Sequence, residues 1–233
     1  MARRRQRIWI TRALPAAGAT AERVRAMGHE AVLGPLLVVR PFQDIQVDLS
    51  GVAALAFTSA NGVRAFVDIC AERSLKVFAV GAATALAARA AGFRTVLSAD
   101  GDVEALAEGI AQRRRELVGA ILHPGATEPA GDLSGALERQ GVIVRRLALY
   151  ETDPVKLESN AADALVQSDV VLLHSARAAK VLAGVVKTHP APRLRVLGLS
   201  KAVLRPLARA KLGAKSFPPF PLEAGLLNLI DRS

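Results

Sequence analysis

The chain has 233 residues, of which 51% are hydrophobic, and a mean hydropathy of +0.27. This composition excludes intrinsic disorder, a collagen-like repeat and a disulfide-stabilised miniprotein, and the length allows one large or two small domains. The single cysteine, Cys70, excludes an internal disulfide and a multi-cysteine metal site, so we expect a reducing compartment. No apolar run approaches the roughly 20 residues that cross a bilayer, and none follows the basic residues 1–7 as in a signal peptide. We therefore expect a soluble, cytoplasmic protein with no membrane partner.

The charge balance indicates an anionic partner. The 31 lysines and arginines exceed the 21 aspartates and glutamates, so the formal net charge is +10. A field of this sign concentrates nucleic acids, anionic lipids and polycarboxylate metabolites alike. Aromatic residues make up only 4% of the chain, so the stacking platforms of single-strand binders are nearly absent. This composition disfavours a nucleic-acid partner and favours a small anionic molecule.

Short apolar or β-branched runs alternate with stretches of helical spacing along the chain. This alternation is typical of parallel α/β units. In chain order, the predicted strands are residues 8–11, 31–33, 53–58, 76–80, 95–97, 119–123, 142–147, 169–173, 195–199 and 215–217. The predicted helices are residues 16–27, 61–71, 83–91, 103–113, 129–140, 177–186, 202–210 and 222–230. Pro206 predicts a kink in the seventh of these helices.

The second half of the chain repeats the plan of the first. Residues 8–28 resemble residues 120–141, and both segments end in a glycine that is typical of a helix C-cap. Residues 57–61 resemble residues 173–177, and the offsets between the copies are about 112 to 119 residues. The sequence therefore predicts an α/β fold with two similar, doubly wound parallel-sheet lobes.

Two extended segments, 36–41 and 148–154, each end in a proline and are predicted to be linkers. In parallel α/β lobes, ligands bind where strand carboxyl ends meet helix N-termini, and the cleft between two lobes is the default site. Hydroxyl residues there cap the next helix and leave amide N–H groups for carboxylate oxygens, and a cap without a ligand is the alternative at each position. The candidate positions are Arg12, Ser59, Asn61, Gly81, Thr84, Ser175, Ser200 and Lys201.

Sequence motifs for cofactor or metal chemistry are absent. No Gly-x-Gly-x-x-Gly follows the first strand of either copy, no Walker A or Gly-x-Ser-x-Gly sequence occurs, and the four histidines lack the spacing of a helical metal site. We therefore expect neither a metal nor another cofactor. His123 and His174 end equivalent strands of the two copies, and either a ligand contact or a structural role is open for each. Tyr150, the single tyrosine, either donates a proton at neutral pH or packs against the linker.

The order of several motifs resembles the uroporphyrinogen-III synthase family. Each motif is weak alone, but the set is specific and extends from about Ile8 to Ile230 in the family's order. The motifs are Ile10-Thr11-Arg12, Pro35-Leu36-Leu37, residues 57–63 (FTSANGV), residues 80–85 (VGAATA), residues 100–106, Leu149-Tyr150-Glu151-Thr152, Ser175, Gly198 and residues 223–227 (EAGLL).

This resemblance implies two α/β lobes joined by a two-stranded linker, with one lobe inserted in the other. On that basis residues 1–35 and 155–233 form lobe 1, and residues 42–147 form lobe 2. It also implies that the substrate is hydroxymethylbilane, a linear tetrapyrrole with eight carboxylates, and that the products are uroporphyrinogen III and water, in haem biosynthesis. We expect a monomer.

In the family's mechanism, the substrate loses its hydroxyl to give an azafulvene cation. Ring D then attacks through its substituted carbon to give a spiro intermediate and is inverted before closure. The resemblance implies that Tyr150 assists departure of the hydroxyl, and Lys201 stands where family members often have a threonine. The carboxylate-binding groups that it implies are Ser59, Thr84, Ser175 and the N–H groups of Gly81 and Gly198. A non-catalytic two-lobed binding protein for an anionic small molecule and a nucleic-acid-binding protein are the alternatives.

Overall fold

The structure, a computed structural model, describes residues 4–129, 131–155 and 164–231. The strands are β1 (Arg7–Ile10), β2 (Glu30–Leu33), β3 (Leu37–Pro41), β4 (Val52–Phe57), β5 (Lys76–Ala79), β6 (Val96–Ser98), β7 (Ala120–Ala126), β8 (Val144–Pro154), β9 (Val170–Leu173), β10 (Arg195–Gly198) and β11 (Lys215–Ser216). The helices are α1 (Ala16–Ala26), α2 (Ala60–Ile69), α3 (Ala82–Ala90), α4 (Val103–Ala111), α5 (Leu133–Arg139), α6 (Ala176–Thr188), α7 (Lys201–Leu204) and α8 (Glu223–Leu227). Arg114–Glu116 and Arg205–Leu207 form short 3-10 helices.

The chain divides into two compact units. Unit 1 comprises Met1–Val38 and Asp153–Ser233, and unit 2 is the intervening Val39–Thr152. The two borders between the units lie within β3 and β8, which are hydrogen-bonded neighbours in one sheet. Strand β3 and residues 148–154 of β8 lie in the segments that we predicted as extended linkers.

Each unit is built on one sheet. The sheet of unit 1 has the order β11-β10-β9-β1-β2, and every pair of neighbours in it is parallel. The other sheet has the order β3-β8-β7-β4-β5-β6, and its pairs from β8 to β6 are parallel as well. Parallel sheets of this kind place all strand carboxyl ends on one edge, where the loops to the following helices lie.

The two sheets share one strand order when the sequence repeat is applied to them. Strands β1 and β2 correspond to β7 and β8, while β9, β10 and β11 correspond to β4, β5 and β6. Both sheets then share this order of five strands, to which the sheet of unit 2 adds β3 at one edge. Along the chain, the first of these shared strands is β1 in unit 1, whereas in unit 2 it is β4, the counterpart of β9. The two units are therefore related by a circular permutation of the chain, which we call the circular shift. The matched glycines after α1 and α5, Gly28 and Gly141, have φ of +88° and +70°. This left-handed conformation suits glycine and ends each helix at the equivalent point.

Helices cover both faces of each sheet. In unit 1 the strand residues alternate between two apolar clusters, with Trp9 and Val171 in one and Ile8, Ile10 and Leu172 in the other. The alternation follows from the two-residue period of a strand, and burial on both faces explains why these strands are almost wholly apolar. Unit 2 likewise has two clusters. These are the doubly wound parallel sheets that the sequence predicted.

Three predicted helices differ from the observed ones by more than two residues at one end. The helix predicted at 129–140 begins at Leu133, because Asp132 caps it by accepting a 2.9 Å bond from the Gly135 N–H. The helix predicted at 202–210 is the four-residue α7 followed by a 3-10 turn that contains Pro206, so the predicted interruption is present. The last predicted helix, 222–230, is helical only from Glu223 to Leu227.

Candidate active site

The strand order of each unit reverses at one point, between β1 and β9 in unit 1 and between β4 and β7 in unit 2. Ligands of open α/β sheets bind outside the strand carboxyl ends at such a point. A side chain already crosses the junction in each unit. Thr11 donates to the Leu172 carbonyl at 2.7 Å in unit 1, and Thr58 Oγ1 lies 3.2 Å from His123 Nε2 in unit 2.

Tyr150 and Ser59 meet at the reversal point of unit 2. Ser59 has an extended backbone, is the N-cap of α2, and its Oγ accepts a 3.0 Å bond from the Gly62 N–H. The same Oγ lies 3.0 Å from the Tyr150 hydroxyl, and Tyr150 is only 5% exposed. A helix cap and the single tyrosine, both singled out in the sequence, are therefore one hydrogen-bonded pair.

A bulge in β8 directs Tyr150 to this position. The β7–β8 pairing runs Gly125 with Ala148 and then Ala126 with Tyr150, so β8 has one extra residue here. The Thr127 N–H donates to the Tyr150 carbonyl at 2.9 Å and fixes the backbone. Bulges of this kind re-aim a side chain, and they are common beside active sites.

Burial raises the pKa of the Tyr150 phenol, and the hydrogen bond with Ser59 only partly opposes this. The phenol is therefore fully protonated at neutral pH and keeps a proton that it can donate. Because Ser59 Oγ accepts from the Gly62 N–H, its own hydroxyl proton can point to the Tyr150 oxygen, which frees the phenol proton for a ligand.

His123 is buried beside this pair. Burial, with a smaller effect of the charge on Arg146, lowers the pKa of His123 to about 4, so its ring is neutral at pH 7. Its Nε2 faces the Thr58 hydroxyl at 3.2 Å, and its buried Nδ1 has no hydrogen-bond partner in the part of the chain that the structure describes. The sequence analysis placed His123 and His174 at the ends of equivalent strands, which was wrong: β7 continues to Ala126 and corresponds to β1, whereas His174 follows β9, which corresponds to β4. The sequence also did not show that Thr58 would be the partner of His123.

The other candidates of unit 2 begin two neighbouring helices, α2 after β4 and α3 after β5. Asn61, in the first turn of α2, accepts a 2.8 Å bond from Arg64. Gly81 is the N-cap of α3 and faces open space on the side where a Cβ would stand. Thr84 lies in the first turn of α3 and is buried, with its N–H on the Gly81 carbonyl. Because β4 and β5 pair side by side, these residues share one edge of the sheet with Ser59.

Two serines of unit 1 cap helices in the way the sequence predicted. Ser175 accepts the Ala178 N–H at 3.2 Å at the start of α6, and Ser200 accepts the Val203 N–H at 3.4 Å at the start of α7. Lys201, the first residue of α7, is exposed. The strands that precede these helices, β9 and β10, are neighbours in the sheet, so the three residues lie at one edge.

Gly198 is buried at the end of β10, opposite Leu173 in the register of the sheet. A Cβ on it would stand 2.6 Å from the side chain of Leu204. The position therefore requires glycine for the close approach of α7 to the strand, independently of any ligand.

Arg12, the remaining candidate, belongs to a cluster that the sequence did not reveal. Its Nη1 lies 3.0 Å from Glu223 Oε1 and 3.4 Å from the Thr20 hydroxyl. Thr20 and Arg23 also donate to the Glu223 carboxylate, and His174 Nε2 lies 3.3 Å from it, although not in hydrogen-bond geometry. The clearest sequence signal for Glu223 was an acidic residue in a helix first turn, which alone does not indicate a partner 211 residues away.

Among the residues that the structure describes, no group of three histidine, cysteine or carboxylate side chains could hold a metal ion. No helix in the described ranges is both long enough and apolar enough to cross a membrane.

Fold and site together define a two-unit α/β protein with capped helix N-termini and with a buried phenol paired to a helix-capping hydroxyl at the carboxyl edge of a parallel sheet. The family model for uroporphyrinogen-III synthase HemD, HEM4, matches residues 18–228. The chain therefore belongs to the uroporphyrinogen-III synthase family, lyases of haem biosynthesis. This confirms the family that the motifs indicated, and with it the function, closure of hydroxymethylbilane to uroporphyrinogen III.

Solved structures confirm the two-lobed fold. The uroporphyrinogen-III synthetase of Helicobacter pylori superposes with a TM-score of 0.69 at 15% identity, over 97% of this chain and 98% of that chain. A mutant uroporphyrinogen III synthase of Thermus thermophilus gives a TM-score of 0.58 at 16% identity, again over 97% and 98% of the two chains. No curated protein matches the chain.

Proposed function

We propose that Tyr150 is the residue that assists departure of the hydroxyl in the synthase reaction. The observation that carries this assignment is the 3.0 Å contact between the Tyr150 hydroxyl and Ser59 Oγ at the reversal point of the unit 2 sheet. The phenol is buried, protonated at neutral pH and held by two fixed elements, β8 and the start of α2. A donor fixed in this way loses little entropy when it bonds to a substrate.

The protons lost and gained in the reaction balance without another reagent. Tyr150 donates its proton to the departing hydroxyl, which leaves as water, and the substrate becomes an azafulvene cation while Ser59 stabilises the phenolate. When the ring closes, the pyrrole carbon that forms the new bond loses its proton, and the phenolate recovers one. The net change is loss of one water from hydroxymethylbilane.

We assign the carboxylates of the substrate to the helix N-termini at the strand carboxyl ends. Exposed N–H groups and the positive end of a helix dipole stabilise an anion at such positions. In unit 2 the groups are the first turns of α2 and α3, and in unit 1 they are the start of α6 and the Arg12 guanidinium. The full set that we propose is Arg12, Ser59, Asn61, Gly81, Thr84, Ser175, Gly198, Ser200 and Lys201.

Most of the catalytic effect then comes from positioning. Hydroxymethylbilane also closes without an enzyme, to the isomer in which ring D is not inverted. The protein must therefore favour one geometry of a flexible chain, and many fixed hydrogen-bond donors achieve this without strong acid–base groups. The formal net charge of +10 favours capture of a substrate with eight carboxylates.

The chain is proposed to act as a cytoplasmic monomer without a nucleic-acid or membrane partner. The single cysteine supports a reducing compartment, and Cys70 is free in the structure. The low aromatic content supports the absence of a nucleic-acid role.

The test is an isomer assay with purified protein. Hydroxymethylbilane is added, the products are oxidised to porphyrins, and the type I and type III isomers are separated by chromatography. Excess of type III over the enzyme-free reaction is expected, and type I alone would reject the proposal. Loss of type III formation in Y150F, with a stability lowered by no more than the loss of one hydrogen bond, would support the role of the phenol.

A further inference from the structure

We propose that Glu223 is a positioning residue that holds Arg12 in place for a substrate carboxylate. This inference rests on the proposed role of Arg12 in substrate binding. The contact between them is an ion pair of 3.0 Å between Arg12 Nη1 and Glu223 Oε1. Arg12 is the second residue after β1, so it lies at the reversal point of the unit 1 sheet.

The Glu223 carboxylate is fixed from several elements of unit 1. Thr20 and Arg23 reach it from α1, Arg12 from the end of β1, and His174 from the end of β9. Although burial would raise the pKa of Glu223, the contacts with His174 and Thr20 and the charge of Arg12 lower it to about 2. The carboxylate is therefore ionised throughout the neutral range.

The cluster has a cationic excess. Two guanidinium groups, of Arg12 and Arg23, face one carboxylate, and the desolvated ring of His174 has a lowered pKa and adds no charge at neutral pH. Only Nη1 of Arg12 bonds to Glu223, while about a third of the Arg12 side chain is open to solvent. A guanidinium has five donors in a rigid plane, so a fixed Arg12 still offers donors to a second carboxylate.

Exposed apolar side chains lie close in sequence to both partners of the ion pair. Leu14 follows Arg12 by two residues and is 69% exposed, while Phe220 and Leu222 precede Glu223 and are 71% and 59% exposed. A pyrrole with acidic substituents needs this combination of an apolar contact and an adjacent cation.

A KM and kcat analysis of E223Q tests the proposal. Glutamine keeps the size of the side chain but removes the charge that holds Arg12, so we expect KM to rise about tenfold while kcat changes less than about twofold. The matched control is E30Q, which breaks a 3.0 Å ion pair of Glu30 with Arg7 in the same unit, at the far end of β2. E30Q should leave KM unchanged.

A double-mutant cycle separates positioning from a general effect on folding. R12Q should raise KM, and E223Q should add nothing in the R12Q background, because there is no guanidinium left to position. T20V, which removes the hydroxyl that also holds Glu223, should raise KM in the same direction with a smaller effect and provides a second variant if E223Q folds poorly. Thermal unfolding of every variant is measured alongside.

The outcomes distinguish the inference from the proposed function. If R12Q raises KM but neither E223Q nor T20V does, Glu223 does not position Arg12, and the role of Arg12 stands. If R12Q has no effect, the role of Arg12 fails first and the inference with it. A fall in KM in E223Q would mean that Glu223 competes with the substrate for Arg12, which also overturns the inference.

Discussion

Tyr150 and Ser59 are 91 residues apart in the chain, yet the Tyr150 hydroxyl lies 3.0 Å from Ser59 Oγ. Ser59 caps the helix that follows β4, and Tyr150 lies on β8. Because β7 lies between β4 and β8 in the sheet, the contact reaches across β7. Tyr150 is buried, Ser59 is partly buried, and both hydroxyls can donate or accept. Five experiments test what this arrangement and its surroundings do.

Replacement of Tyr150 by phenylalanine should lower kcat by about 100-fold, the lower end of what a positioned proton donor contributes. The ring and its packing remain, so the free energy of unfolding should fall only by the loss of one hydrogen bond, about 1 kcal/mol. Initial rates of type III formation and thermal unfolding are the measurements. Turnover of Y150F at the wild-type rate would remove the phenol from the mechanism.

The pH dependence of kcat/KM should show no loss of the Tyr150 proton below pH 10. Burial raises the pKa of this phenol above its ordinary value of 10, so the alkaline limb of the profile should lie above that pH. The bond from Ser59 lowers the pKa, so S59A should move the limb further up. A limb below pH 10 that disappears in Y150F would show instead that the phenol is activated as an acid.

Much of the fold could be predicted because its signals are local. Short apolar or β-branched runs predicted the strands, and the repeat of residues 57–61 at 173–177 indicated two similar lobes. Strand β3 was expected only as extended chain, because its residues pair with β8 across more than 100 positions and have no helix of their own.

The site was less predictable because it depends on sheet order. Ser59 and Tyr150 were both candidates, but their contact requires that β7 lie between β4 and β8, which no local pattern specifies. The same holds for Thr58 with His123 and for Arg12 with Glu223. Residue types at strand ends can be predicted from a sequence, whereas their partners come from the topology.

Stability should fall between pH 7.5 and pH 5 because of His123. The pKa of this histidine is about 4 in the folded protein against 6.5 for a free side chain, so the unfolded chain binds more protons in this range. The expected loss from this residue is roughly 2 kcal/mol. Urea unfolding at both pH values measures it, and H123Q should show a smaller loss by about that amount. Equal losses in H123Q and the wild type would show that His123 is not buried as a neutral ring.

Gly62 should not tolerate a side chain, although it lies inside α2. A Cβ there would stand 2.9 Å from the Pro124 carbonyl oxygen of β7, which is backbone and cannot turn away. G62A should therefore cost about 1–3 kcal/mol of stability and also lower activity, since the Gly62 N–H holds Ser59. The control is G109A in α4 of the same unit, where a Cβ meets nothing within 4 Å. That change should be neutral or stabilising by up to about 1 kcal/mol, and equal stability of the two variants would contradict the close approach.

Unit 2 should fold as an isolated fragment of residues 39–152. It is continuous in sequence, contains both of its apolar clusters, and keeps β4 between its neighbours β5 and β7. We expect a single cooperative transition in urea by circular dichroism and no synthase activity, because the fragment lacks Arg12 and Ser175. The matched control starts at residue 60 and so lacks β4, the central strand on which both apolar clusters depend. The control should not fold. If the 39–152 fragment unfolds without cooperativity, the stability of unit 2 depends on the remainder of the chain.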